Sequence, residues 1–289
     1  MRTTHRLFRA DARYMNFIPD NSVHLVVTSP PYWNLKEYER GENQLGIIED
    51  YEEFIDELSK VWKECYRVLV PGGRVVCVVG DVCLSRKKYG RHVVMPLHSD
   101  ITVSCRKIGF DNLNPILWHK ISNAVFEANN CTSFLGKPYE PNAIIKNDIE
   151  YILMQRKPGG YRTPTSLQRE KSRIAKSDYN EWFKQIWKLG GASTKNHPAP
   201  FPLEVASRLV KMFSFYGDTV ADPFCGSGTT MQAALNSERN SIGIEVEEKY
   251  CLMTTDRMES NNDLFSQVDF EYVSHKFMSN LARLTKAEG

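Results

Sequence analysis

Apolar and polar positions along this chain alternate between two spacings, and the switches between them divide it into strands, helices and turns. Val23–Thr28 reads VHLVVT, a β-rich apolar run closed by Ser-Pro-Pro. Residues 51–69 then place apolar side chains at 51, 54, 55, 58, 62, 65 and 69, the spacing of one helix face, and Pro71-Gly72-Gly73 ends that helix. Residues 74–80, RVVCVVG, form a near-continuous apolar run, which suits a parallel strand covered on both faces. Residues 114–119 and 150–155 read as two more strands. A second amphipathic helix follows Pro202, with Leu203, Ala206, Leu209, Val210 and Phe213 on one side. Beyond it come VADPF, a glycine loop, a helix near 229–236 and the run SIGIEV. Strand, loop, helix and strand make a βαβ unit, so the pattern predicts an α/β fold. No internal repeat interrupts it.

Composition narrows the class. The chain has 289 residues, 42% hydrophobic and 25% charged, enough for a sizeable core. Its first residues lack an apolar secretory segment, and no apolar run approaches the roughly 20 residues that span a bilayer. An intracellular protein away from the membrane is expected. The seven cysteines (65, 77, 83, 105, 131, 225, 251) form no CxxC pair and several sit in apolar runs, which fits reduced thiols better than disulfides or a zinc site. Net charge is only +2, so any attraction to nucleic acid has to be local.

The glycine loop is Asp222-Pro223-Phe224-Cys225-Gly226-Ser227-Gly228-Thr229-Thr230. It leaves a strand and opens a helix, where backbone N–H groups can approach a ligand closely. It carries no lysine, so it is no triphosphate-binding loop, and a nucleoside without a triphosphate tail is the expected ligand. Glu245 lies 19 residues past Gly226, where an acidic side chain can accept hydrogen bonds from ribose hydroxyls. Taken alone, the same residues also fit a plain turn followed by a surface glutamate.

The second segment is Thr28-Ser29-Pro30-Pro31-Tyr32-Trp33. Two prolines fix φ and remove two backbone donors, which stiffens the turn and leaves its carbonyls free to accept. Ser29 adds a neutral hydroxyl, and Tyr32 offers an aromatic face. A turn with a core aromatic is the plain alternative, and Trp33 fits a pocket wall or the core equally well.

Together, TSPPYW and DPFCGSGTT resemble the catalytic and cofactor motifs of the amino-methyltransferase family of DNA-modifying enzymes. Here the catalytic segment comes almost 200 residues before the cofactor loop, which resembles the family's circularly permuted β group. Pro71-Gly72-Gly73, Asn114-PILWHK and Glu150-YILMQRK fall where that order wants them, and the resemblance covers about residues 20–255. It implies a Rossmann-like methyltransferase fold: a mostly parallel seven-stranded sheet with helices on both faces and a target-recognition insertion. It further implies S-adenosyl-L-methionine as cofactor and double-stranded DNA as substrate, with a separate cognate restriction endonuclease as a possible companion. Ser29, Pro30, Pro31 and Tyr32 would be catalytic. Asp222, Phe224, Gly226, Ser227, Gly228, Thr229 and Glu245 would bind the cofactor, joined by His197 and Pro198 of an HPxxxP-like segment. Serine before Pro-Pro-Tyr is the form usual in cytosine-N4 enzymes, whereas adenine-N6 enzymes usually carry Asp or Asn. Methylation of the ring carbon needs a Pro-Cys nucleophile, and this chain has no such dipeptide.

Residues 156–176 hold seven basic side chains against one acidic, and Arg86-Lys87-Lys88 forms a second cationic run. Arg162, Arg169, Lys171, Arg173 and this run are candidate DNA contacts, as is Trp33, although each charged stretch also fits a solvated face. The expected organisation is a catalytic half over 1–157 with an irregular insertion at 121–148, a target-recognition region at 158–196, and a cofactor-binding half over 197–289. No metal constellation is visible. The sequence does not decide between monomer and homodimer, between cytosine N4 and adenine N6, or what DNA sequence is read.

Overall fold

The computed structural model describes residues 2–33, 44–84, 89–120, 141, 145, 147–190, 202–260 and 268–274. Its strands are β1 (Thr3–Arg9), β2 (Val23–Thr28), β3 (Leu69–Val79), β4 (Val82–Leu84), β5 (Val93–Met95), β6 (Asp111–His119), β7 (Ile149–Arg156), β8 (Ile186–Lys188), β9 (Thr219–Asp222), β10 (Asn240–Glu245) and β11 (Val268–Val273). The helices are α1 (Tyr51–Val68), α2 (Leu97–Ile108), α3 (Ser166–Lys171), α4 (Lys176–Trp182), α5 (Leu203–Phe213), α6 (Thr229–Leu235) and α7 (Glu248–Glu259).

Among the described residues, nine strands form one sheet in the order β11-β1-β10-β9-β2-β3-β7-β6-β8, and β4 pairs with β5 apart from it. The expected count of seven is corrected to nine. The added strands are the edge strands β8, three residues long, and β11, too short and too polar on one face to stand out in the sequence. Among the described strands only β7 runs against its neighbours, so the sheet is mostly parallel as expected.

Pleating sends alternate residues of β3 to opposite faces. Val75, Cys77 and Val79 meet Phe54, Leu58, Trp62 and Cys65 of α1 and Leu97, Ile101 and Cys105 of α2. Val76 and Val78 meet Val205, Leu209 and Val210 of α5 and Ala233 and Ala234 of α6. That double covering is why residues 75–79 are apolar without alternation. Asp50 caps α1 by accepting from the Glu53 N–H at 2.8 Å. The helix ends at Val68, just before the Pro-Gly-Gly segment, and that segment belongs to β3, beside a register shift between Val23 and Leu25.

Strand order reverses at the β9–β2 seam. From β9 the chain crosses α6 to β10 on one side, while β2 leads through α1 to β3 on the other. Open α/β sheets place ligands in the crevice beyond the carboxyl ends of the strands at such a seam. Both chemistry-bearing loops emerge there, Ser29 after β2 and Pro223 after β9.

Candidate active site

The loops meet in one cleft. Ser29, Pro30 and Pro31 line it together with Pro223, Phe224, Gly226 and Glu245. The turn after β1 contributes Asp11, and Gln44, Glu247 and Tyr250 complete the rim.

Buried polar contacts hold the two loops together. The Thr28 hydroxyl donates to Asp222 Oδ1 at 2.6 Å, and the Phe224 N–H donates to the same oxygen at 3.0 Å. Across the seam, Thr230 Oγ1 donates to the Val27 carbonyl at 3.2 Å. Burial pushes the Asp222 carboxyl up to about 6, against hydrogen bonds from Thr28 and the Phe224 N–H that favour its charged form.

The glycine loop is tight. Gly228 caps α6 at φ 79°, and a Cβ there would lie 2.7 Å from Thr254 Cγ2. Thr254 in turn donates to the Gly226 carbonyl at 2.9 Å, so α7 props the loop from behind. At the front, Glu245 accepts from the Gly226 N–H at 2.8 Å and from the Glu247 N–H at 2.9 Å. Burial raises the Glu245 carboxyl to about 7, opposed by the backbone N–H groups of Glu247, Gly226 and Val246.

Of the residues assigned to the cofactor from sequence, Phe224, Gly226 and Glu245 reach the cleft. Asp222 turns inward to Thr28, Thr229 accepts from Arg257 Nη1 at 3.2 Å, and Ser227 and Gly228 are outside the lining set. Tyr32 is buried beside Gly80, whose position lies 3.4 Å from Tyr32 Cε1 when a Cβ is built on it. Trp33 is buried at φ 46° and packs edge-on against Tyr51, with ring centroids 5.2 Å apart. A left-handed backbone at a bulky residue is strained. His197, Pro198, Arg86, Lys87 and Lys88 lie outside the described residues.

The remaining cations stand elsewhere. Because β7 runs antiparallel, residues after Arg156 leave from the end of the sheet opposite the cleft. There Arg162 donates to both oxygens of buried Asp218, just before β9. Gln168 of α3 donates to the Tyr216 carbonyl at 3.1 Å, and Lys171 lies 5.9 Å over the Tyr216 ring. Exposed Arg169 and Arg173 share that segment. The structure brings none of these four to the cleft.

Sequence reading missed β1 and the residues after it. Asp11 accepts from Arg13 Nε at 3.0 Å and Nη2 at 2.6 Å, and its backbone neighbours Ala10 and Ala12 also line the cleft. The alternation of THRLFR was the available signal, with Thr3, His5 and Leu7 buried and Thr4 and Arg6 exposed. Gly226 lines the cleft, and among the described residues its rim carries three carboxylates: Asp11, Glu245 and Glu247. That donor set fits a cationic nucleoside. Among the described residues no group of three His, Cys, Asp or Glu side chains is placed to hold a metal, and no helix is long and apolar enough to cross a membrane.

A family model described as DNA methylase matches residues 23–256. The Type II methyltransferase M.MjaI of Methanocaldococcus jannaschii is 40% identical over 277 residues, covering 85% of this chain and 88% of that protein. The DNA adenine methyltransferase YhdJ of Escherichia coli is 29% identical over 285 residues, covering 93% and 87%. TTHA0409 of Thermus thermophilus, solved in complex with S-adenosyl-L-methionine, superposes with a TM-score of 0.77. It is 52% identical, covering 94% of this chain and 98% of that one.

Proposed function

The chain belongs to the DNA methylase family, and we propose that it transfers a methyl group from S-adenosylmethionine to the exocyclic N4 amine of cytosine in duplex DNA. The observation that carries this reading is the shared cleft, where the Ser29-Pro30-Pro31 corner faces the Gly226 loop and Glu245. The cofactor complex of TTHA0409 and the acidic rim support S-adenosylmethionine as the ligand held by Phe224, Gly226 and Glu245. The order of the two loops along the chain supports the permuted, β-group arrangement. The Type II name of M.MjaI supports a role beside a restriction endonuclease.

An exocyclic amine is a poor nucleophile because its lone pair is delocalised into the ring. In this reading the Ser29 hydroxyl and the Pro30 carbonyl accept its hydrogens, which localises the lone pair on nitrogen. The cofactor supplies an electrophilic methyl on a sulfonium sulfur. Transfer then needs alignment and fixed dipoles rather than a strong base, because the methylated amine is acidic enough to shed its proton. The amine is paired inside duplex DNA, so the base has to be everted, at a cost of about a few kcal/mol. Tyr32, three residues past Ser29, is the ring assigned to stack on that base.

Ser29 is what favours cytosine. The rival reading, adenine N6 on the same fold, is kept by the likeness to YhdJ. Incubation with labelled cofactor and DNA, RNA or protein, followed by digestion of the product to nucleosides and mass analysis, tests both. N4-methylcytosine in DNA is the expected product. N6-methyladenine transfers the assignment to the rival, and a protein that binds no cofactor in calorimetry is an inactive DNA-binding relative.

A further inference from the structure

We propose that Lys120 and Glu150 form the polar edge that reads the everted base, with Lys120 donating to the ring nitrogen beside the amine and Glu150 fixing the ammonium in place. The proposal rests on reading the cleft as a base-methylating site. Antiparallel pairing sets Val79 of β3 against Tyr151 of β7, and Trp118 of β6 against Glu150. Glu150 therefore stands at the end of the sheet where Gly80 and the Ser29 corner emerge. Gly80 brings the pieces together: a Cβ built there lies 3.4 Å from Glu150 Cγ and 3.4 Å from Tyr32 Cε1. The carboxylate side chain thus flanks the ring assigned to stack on the base.

Lys120 follows β6 directly, donates to Glu150 Oε1 and sits 4.5 Å over the Trp118 ring. The two side chains are only 13% and 14% exposed. An ammonium has three hydrogens, and Glu150 takes one. Glu150 Oε2 is buried and has no hydrogen-bond partner among the described residues. A buried ion pair contributes little to stability by itself, and an idle buried acceptor costs stability. This pair is therefore poorly explained as a brace, and well explained as half of a recognition edge.

Cytosine and adenine each present an amine next to an unprotonated ring nitrogen. Thymine and guanine present a carbonyl next to a ring N–H. An ammonium beside a carboxylate oxygen complements the first pattern and opposes the second. The pair selects cytosine and adenine over thymine and guanine, whichever of the two is the target.

The test uses duplexes carrying the mapped target site, with the target base intact or with its ring nitrogen replaced by C–H, as 3-deazacytosine or 1-deazaadenine. Binding is measured with S-adenosylhomocysteine present, and comparison between variants cancels the analogue's weaker pairing in the duplex. Wild-type protein is expected to lose about tenfold in affinity on the deaza duplex, the loss of one charged hydrogen bond. Lys120→Met is expected to lose about tenfold on the natural duplex and less than about twofold more on the analogue. Glu150→Gln, which leaves the ammonium unfixed, is expected to retain less than half of the wild-type discrimination. Unchanged affinity for S-adenosylhomocysteine in calorimetry marks each variant as folded, and if Lys120→Met fails that check, Glu150→Gln carries the test. Full wild-type discrimination in a folded variant overturns the proposal. Wild-type protein that methylates no DNA overturns the functional reading instead.

Discussion

The Thr28 hydroxyl donates to the Asp222 carboxyl at 2.6 Å, joining the last residue of β2 to the last residue of β9. Each of those strands releases one of the two loops that meet in the cleft. The bond is therefore a mechanical link between the corner assigned to the base and the loop assigned to the cofactor, and it is buried on both sides. Thr28→Val keeps the shape and removes the donor. It leaves a buried acceptor with one partner fewer, at about 1–3 kcal/mol. Urea denaturation should register that loss, and cofactor affinity and turnover should fall together. A variant that lowers turnover alone would show the link to be irrelevant to the cofactor loop.

Gly228 offers a sharper probe of the loop. Alanine there meets Thr254 Cγ2 at 2.7 Å and a backbone at φ 79°. The combined strain predicts a loss of about 1–3 kcal/mol and weaker cofactor binding. Adding Thr254→Ser removes the clashing methyl and keeps the hydroxyl that donates to the Gly226 carbonyl. Calorimetry should find part of the cofactor affinity restored in the double variant, because the methyl contact is removed while the contact with the hydroxyl oxygen at 2.9 Å and the backbone strain persist. No restoration would place the effect in φ and the hydroxyl contact rather than in the methyl.

Much of this was legible in sequence, and the failures have physical causes. Ser29-Pro30-Pro31 and the Gly226 loop announce themselves because each couples a strand end to residues that fix or free the backbone. The apolar run of β3 declares a strand covered on both faces. Strand order is less visible, since β1 reaches its neighbour β10 across more than 200 residues. Long-range pairing also decides charge. Arg162 looks like a cation waiting for phosphate until Asp218, 56 residues on, is found beside it. Asp222 looks like a cofactor ligand until Thr28 turns it inward.

Ser29 and Tyr32 separate binding from chemistry. The Gly226 loop is braced by Glu245 in front and Thr254 behind, and both braces stay intact when the Ser29 corner is altered. Cofactor affinity should therefore stay within about twofold in Ser29→Ala and Tyr32→Ala, whereas methyl transfer should fall by about 10²-fold or more when an orienting acceptor is lost. Single-turnover rates with labelled cofactor measure this, and wild-type rates in both variants would refute the assigned roles.

Glu245 gives the cleft a pH dependence whose sign follows from burial. Its carboxyl stands at about 7 in the folded protein against an ordinary value of 4.5. Between those values the folded chain keeps a proton that the unfolded chain has released. The associated stability is complete below about pH 4.5 and is lost as pH climbs through about 7. Asp222, raised from 3.8 to about 6, acts in the same direction over a lower window. A ligand carrying a sulfonium and an ammonium favours the ionised carboxylate, so cofactor affinity should rise over the range where ligand-free stability falls. Melting temperatures from about pH 5 to 8, with and without cofactor, should diverge toward the alkaline end. Glu245→Gln cannot ionise, so its ligand-free curve should be flatter from about pH 7 upward, where Asp222 contributes little. An identical slope in that variant would move the titration to another group.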